Sequence, residues 1–123
     1  MTDVVIIDDS LEDREVLTDL ALSAGASECK AFSNADDAIY FVEAEGADLI
    51  FVDFQLENEV GLAHIPRLRL IAPSAHIVLI TGRDIQGLGG LVHSFGIDFL
   101  RKDRLLEFGQ DDLRALISGA KAF

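Results

Sequence analysis

Val4-Val5-Ile6-Ile7-Asp8-Asp9-Ser10 is a run of four β-branched aliphatic residues that stops at two acids and a hydroxyl. Apolar residues at consecutive rather than alternate positions predict a strand buried on both faces. The period then changes. Ser10 is placed to cap a helix, with Asp13 as a capping-box acid at the third helical position. Val16, Leu17, Leu20, Ala21 and Ala24 follow at spacings of three and four on one face, and Gly25 suits a left-handed stop. The alternation recurs: Leu49-Ile50-Phe51-Val52 ends in Asp53, and His76-Ile77-Val78-Leu79-Ile80 ends in Thr81. Weaker strands are expected over Glu28 to Phe32, nearer an edge, and over Ile97 to Arg101, just before Lys102. Asn34 caps a second helix with Ala38, Phe41 and Val42 inward and Gly46 closing it. A third helix spans about Ala63 to Ile71, with Pro66 either shifting its start to His64 or Ile65 or kinking it, since proline removes an interior bond and clashes with the preceding turn. A fourth covers the stretch from Asp84 to His93. The last runs from about Gln110 to Ala120, with Leu113, Leu116, Ile117 and Ala120 facing inward. Five apolar strands separated by helices predict an α/β fold, a doubly wound five-stranded parallel sheet with helices on both faces. Right-handed crossovers leave few topologies.

The chain has 123 residues, half of them hydrophobic, with Lys+Arg 10 against Asp+Glu 22 and a net charge of −12. One domain over residues 1–123, with no output domain, is the expectation for this length. Cys29 is the single cysteine, so a disulfide framework is excluded. The acidic balance argues against nucleic-acid binding, which depends on Lys and Arg neutralising phosphates. No run approaches the ~20 apolar residues of a membrane span, and no basic segment precedes the first apolar run as in a secretory signal. A cytoplasmic protein is expected.

In an open α/β sheet, ligands bind beyond the carboxyl ends of the strands, where strand order reverses. With the order 2-1-3-4-5, Asp8 and Asp9, Asp53, Thr81 and Lys102 come from neighbouring strand ends. Carboxylates crowded together demand a cation, and a few oxygen ligands favour Mg²⁺ over zinc. Carboxylate, Mg²⁺, hydroxyl and ammonium together make a phosphoryl-transfer site. His64, His76 and His93 lie on different elements, which argues against a histidine metal cluster. Other readings stand beside these: Asp8-Asp9 as acids favoured by a helix dipole, Asp53 as a solvated loop acid, Thr81 as an ordinary strand residue, Lys102 as a surface lysine, Phe99 as core.

The chain resembles the receiver domains of two-component response regulators, of the stand-alone type, over nearly its whole length. The resemblance rests on VVIIDDS, on LIFVDFQL, on IVLITG, and on Gly96-Ile97-Asp98-Phe99-Leu100-Arg101-Lys102. It implies a flavodoxin-like sheet of order 2-1-3-4-5. It also implies that Asp53 takes a phosphoryl group from a histidine kinase or phosphotransfer protein, and that output passes to a downstream protein target. The implied Mg²⁺ ligands are Asp9, Asp53 and the backbone carbonyl of Gln55, with Asp8 acting through water. Lys102 pairs with Asp53 and then with the phosphoryl group; Thr81 and Phe99 form the switch. Leu11, Asp13, Arg14 and Val16 are the implied kinase contacts, and the chain is a monomer or weak homodimer. Chemistry beyond self-phosphorylation and autodephosphorylation is not implied.

Three departures stand out. Asp103 replaces the proline usual after the lysine, which predicts a trans Lys102–Asp103 bond. Glu57 stands where proline is usual, and Glu57 and Glu59 add carboxylates near the site, although Gly61 matches. Gly87, Gly89 and Gly90 weaken the fourth helix by ~0.8–1.0 kcal/mol each in a helix interior, which predicts partial disorder without phosphate and Mg²⁺. Arg83 lies two residues beyond Thr81. Two alternatives to a phosphoacceptor remain: a pseudo-receiver acting as a constitutive binding module, and an aspartate-nucleophile phosphatase. The second wants a D-x-D motif that Asp53-Phe54-Gln55 lacks.

Overall fold

The computed structural model describes residues 2–57, 59–82, 87–103, 105 and 110–118. The elements in chain order are β1 (Asp3–Ile7), α1 (Leu11–Ser23), β2 (Glu28–Phe32), α2 (Ala35–Glu45) and β3 (Leu49–Asp53). A short hairpin follows, β4 (Gln55–Leu56) and β5 (Glu59–Val60), and then a 3-10 turn over Gly61–His64. The chain continues through α3 (Ile65–Ile71), β6 (His76–Thr81), α4 (Leu88–Phe95), β7 (Asp98–Arg101) and α5 (Gln110–Ile117). The five-stranded sheet has the order β2-β1-β3-β6-β7 with every pair parallel, the order expected from the sequence.

Strand alternation sorts the core into two layers. Val5, Ile7, Ile50, Val52, Ile77 and Leu79 face the side covered by α2, α3 and α4, with Ala38, Val42, Leu68 and Val92 against them. Val4, Ile6, Leu49, Phe51, Val78 and Ile80 face α1 and α5, packing on Leu17, Ala21, Leu113, Leu116 and Ile117. Consecutive strand positions are buried because successive side chains point to opposite, equally covered faces. β2 is the exposed edge expected of it, with Phe32 and Cys29 only partly covered.

The caps follow the sequence with one exception. Ser10 Oγ accepts from the Asp13 N–H, and Asn34 Oδ1 from the Asp37 N–H. The reciprocal half of the expected capping box is absent: the Ser10 N–H donates to Asp8 Oδ1 at 3.0 Å, and the Asp13 carboxylate points elsewhere. Val16, assigned to the inner face of α1, is 39% exposed. Pro66 sits in the first turn of α3, which begins at Ile65, the start its missing N–H requires. β7 begins at Asp98, one residue later than expected. α4 begins only at Leu88, after Gly87 in the left-handed region at φ 78°. The expected N-terminal part of that helix, with Arg83, lies outside the described residues, as does Ala120. The Lys102–Asp103 bond is trans.

Candidate functional site

The strand register brings the implied residues to one rim. Ile7 pairs with Val52, so Asp8 follows β1 at the level of Asp53. Asp53 pairs with Ile80, which places Thr81 one residue further along β6. Thr81 pairs with Arg101, and Lys102 is the next residue after β7. The rim is level from β1 to β3 and steps one residue per strand from β3 through β6 to β7, and it sits where β2 and β3 flank β1 on opposite sides, the crevice position of an open sheet.

Alternation then decides which side of the sheet each group occupies. Asp8 continues Val4 and Ile6, Asp53 continues Leu49 and Phe51, and Lys102 continues Leu100, all of the layer that packs on α1 and α5. These three meet. Lys102 Nζ donates to Asp53 Oδ2 at 2.9 Å and to Asp13 Oδ2 at 2.9 Å, and lies 2.8 Å from Asp8 Oδ2. The Asp8 contact is an ion pair outside hydrogen-bond geometry, so that fully buried oxygen keeps no directed hydrogen bond. Asp8, Asp53 and Thr81 are the buried polar residues at 0%, 5% and 2% exposure, among the described residues.

Three carboxylates share one ammonium, and the titration of the groups reflects it. Burial works against the Lys102 charge, but contacts with Asp8, Asp13 and Asp53 carry its pKa above the ordinary lysine value. Asp53 is pushed up to about 6: desolvation raises it most, the Lys102 hydrogen bond opposes this, and the Asp8 charge raises it further. One cation divided among three anions is held firmly charged, while Asp53 remains under-compensated.

Carboxylate oxygens of Asp8, Asp9 and Asp53 lie within 4.8 Å of one another. Two ligands of one Mg²⁺ at ~2.1 Å are at most about 4.2 Å apart, so a donor set of this span is of the size a small divalent cation bridges. The hard-oxygen donor set fits a small divalent cation, and the buried Asp8 oxygen, ion-paired to Lys102 but without a directed hydrogen bond, fits it too. The Gln55 backbone fits as well. The Gly61 N–H bonds the Phe54 carbonyl, which makes Gln55–Val60 a pair whose Gln55 N–H and C=O turn away from β5. That N–H donates to Asp53 Oδ1 at 3.2 Å. Gly61 is required here: a Cβ would stand 1.9 Å from the Asp53 backbone oxygen.

Other expected positions are also located. Phe99 is 38% exposed on the edge strand β7, so it is not core. Asp9, Ser33, Asn34, Leu56, Glu57 and Glu59 line a groove beside the acids, which brings both additional glutamates to the site. His64 lies 3.0 Å from Glu59 and His76 2.6 Å from Asp98, each on its own carboxylate rather than in a shared cluster. Of the four implied kinase contacts, Leu11 and Val16 are exposed, while Arg14 Nη1 donates to the Asp8 carbonyl at 2.8 Å and Asp13 is engaged by Lys102. Sequence reasoning missed the Asp13–Lys102 contact. The available signal was that the first turn of α1 opens at the same rim where β1 ends.

Comparison with known proteins gives one consistent result. The family model described as "Response regulator receiver domain" matches residues 4–117. A response regulator from Thermotoga maritima is similar at 22% identity and TM-score 0.82, covering 97% of this chain and 99% of that one. A Burkholderia pseudomallei response regulator, whose structure holds a phosphorylated aspartic acid and a calcium ion, is similar at 24% identity and TM-score 0.75, covering 94% and 72%. Vibrio cholerae chemotaxis protein CheY4 is similar at 19% identity and TM-score 0.76, covering 90% and 98%. A search of curated proteins finds no match.

Proposed function

The chain belongs to the response regulator receiver family, and on that premise we propose that Asp53 accepts a phosphoryl group, with Mg²⁺, from a histidine kinase or phosphotransfer protein. The observation that carries the reading is a buried Asp53 carboxylate 2.9 Å from Lys102 Nζ, with Asp8 and Asp9 grouped beside it. In the transfer, an Asp53 carboxylate oxygen forms the new O–P bond as the N–P bond of the donor phosphohistidine breaks, and the departing imidazole nitrogen takes up a proton. Asp9, Asp53 and the Gln55 carbonyl would hold the metal, with Asp8 acting through water, and Mg²⁺ would neutralise charge on the phosphoryl oxygens. Lys102 supplies a second positive charge from the α1 side. Thr81 donates its hydroxyl to a phosphoryl oxygen, and Phe99, exposed before phosphorylation, turns inward with it. Water attack on phosphorus breaks the aspartyl O–P bond, releases inorganic phosphate and restores the Asp53 carboxylate.

The domain signals through protein contacts in the cytoplasm. No helix among the described residues is long and apolar enough to cross a membrane. The test is incubation with Mg²⁺ and acetyl phosphate, or with beryllofluoride, read by intact mass and by fluorine NMR. Wild type acquires one adduct and Asp53→Asn none. Absence of an adduct on wild type leaves the constitutive binding module; an adduct that survives Asp53→Asn identifies another acceptor.

A further inference from the structure

We propose that Asp13 is a positioning residue for Lys102, its carboxylate tethering the ammonium at the rim from α1 both before and after Asp53 is modified. The second half of this statement rests on the reading of Asp53 as phosphoacceptor. Four observations carry the proposal. Asp13 Oδ2 lies 2.9 Å from Lys102 Nζ, as close as the Asp53 oxygen. Asp13 is at the third helical position, where its carboxylate could have closed the capping box, but Asp8 Oδ1 already takes the Ser10 N–H and leaves Asp13 available. The start of α1 is fixed in place by the Ser10 cap and by the Arg14–Asp8 carbonyl bond, so Asp13 projects from a rigid base. The residues flanking Lys102 pair with each other, Arg101 Nη2 with Asp103 Oδ2 at 2.8 Å, an arrangement that does not hold the head of Lys102.

An ammonium has three N–H donors. Here one is directed to Asp53 and one to Asp13, while Asp8 contributes charge without direction. When an Asp53 oxygen becomes an ester, the donor it occupied can turn to a phosphoryl oxygen. The Asp13 bond does not involve the phosphoacceptor and persists through that exchange. The lysine therefore reorients about a fixed contact, with no need to be captured from solvent.

The test compares Asp13→Ala, Asp13→Asn and Asp13→Ser with wild type, and uses Glu12→Ala as control for the loss of a first-turn acid. The first readout needs no phosphorylation: the ¹H–¹⁵N ammonium signal of Lys102, assigned by its absence in Lys102→Arg. It is expected in wild type, Asp13→Asn and Glu12→Ala, and lost to solvent exchange in Asp13→Ala and Asp13→Ser. The second readout is labelling by acetyl phosphate with Mg²⁺. It falls about tenfold in Asp13→Ala and returns to within about twofold of wild type in Asp13→Asn, inside the ~10²-fold range of a 1 Å misplacement. Asp13→Ser repeats the measurement if the alanine variant does not fold. An ammonium signal that persists in Asp13→Ala overturns the tether. Equal changes in Asp13→Ala and Asp13→Asn overturn it too, since both remove the charge and only the second keeps an acceptor. If wild type is not labelled at all, the phosphoacceptor reading fails, and the ammonium signal still decides the role of Asp13.

Discussion

At the scale of single residues, the site holds stored repulsion. The folded-state pKa of Asp53 is pushed up to about 6, mainly by burial, against an ordinary ~3.9 in the unfolded chain. Between those two values the folded state holds more protons than the unfolded one, so this group makes stability fall as pH rises from about 4 to 6. At ~1.36 kcal/mol per pH unit the loss is at most about 3 kcal/mol. Asp53→Asn cannot ionise and escapes it. In urea unfolding with chelator present, Asp53→Asn should be more stable than wild type by about 1–3 kcal/mol at pH 7.5, with the difference vanishing near pH 4. A variant less stable than wild type at pH 7.5 would contradict the charge balance derived for the cluster. Gly61 carries the opposite kind of constraint. The Cβ of Gly61→Ala must displace the Asp53 backbone oxygen or the Val52 side chain, which stand 1.9 and 2.9 Å away. Overpacking of this kind costs about 1–3 kcal/mol, and because the displaced atoms carry the acceptor, beryllofluoride binding should weaken along with the unfolding midpoint.

At the scale of elements, α4 is the helix with most to gain from substitution. Gly89 and Gly90 lie inside it with right-handed backbone, and a Cβ at either meets nothing within 4 Å. Each replacement by alanine should stabilise the helix by less than the ~0.8–1.0 kcal/mol of an interior position, because both residues lie in its first turn. Gly87, at φ 78°, should behave oppositely, since alanine there is strained. Amide exchange over Leu91–Phe95 distinguishes the two cases: slower in Gly89→Ala and Gly90→Ala, faster in Gly87→Ala. The short β4–β5 hairpin is the element that the strand-and-helix periods do not announce. Leu56 is its single buried side chain among the described residues, and two-residue strands are too short to show an alternation. Its effect on the site is direct, because it sets the direction of the Gln55 N–H and carbonyl.

At the scale of the whole molecule, a cation that binds the folded state and not the unfolded one stabilises the fold by linkage. Mg²⁺ at a hundred times its Kd should raise the unfolding free energy by ~2.7 kcal/mol. Asp9→Asn should lose most of that gain while leaving the metal-free stability nearly unchanged, because Asp9 is exposed where Asp8 is buried. Urea melts at matched ionic strength, with and without Mg²⁺, measure both. A rise of equal size in Asp9→Asn would mean that the ion screens the net charge of −12 instead of occupying the acid cluster.

The chain's own periodicities determined the sheet, its two-faced burial, the capped starts of α1 and α2, and the residues at the strand ends. These follow from local rules: consecutive apolar residues make a doubly covered strand, and a polar residue that ends such a run lies at the rim. The tertiary structure alone decided how the charges are shared. Asp13 read locally as a capping acid, but parity placed Lys102 on the α1 side of the sheet, and Asp8 had already taken the N–H that Asp13 would have accepted. A hydrogen-bond partner 89 residues away leaves no trace in a local pattern. Competition among three carboxylates for one ammonium is settled only when the folded chain fixes their distances.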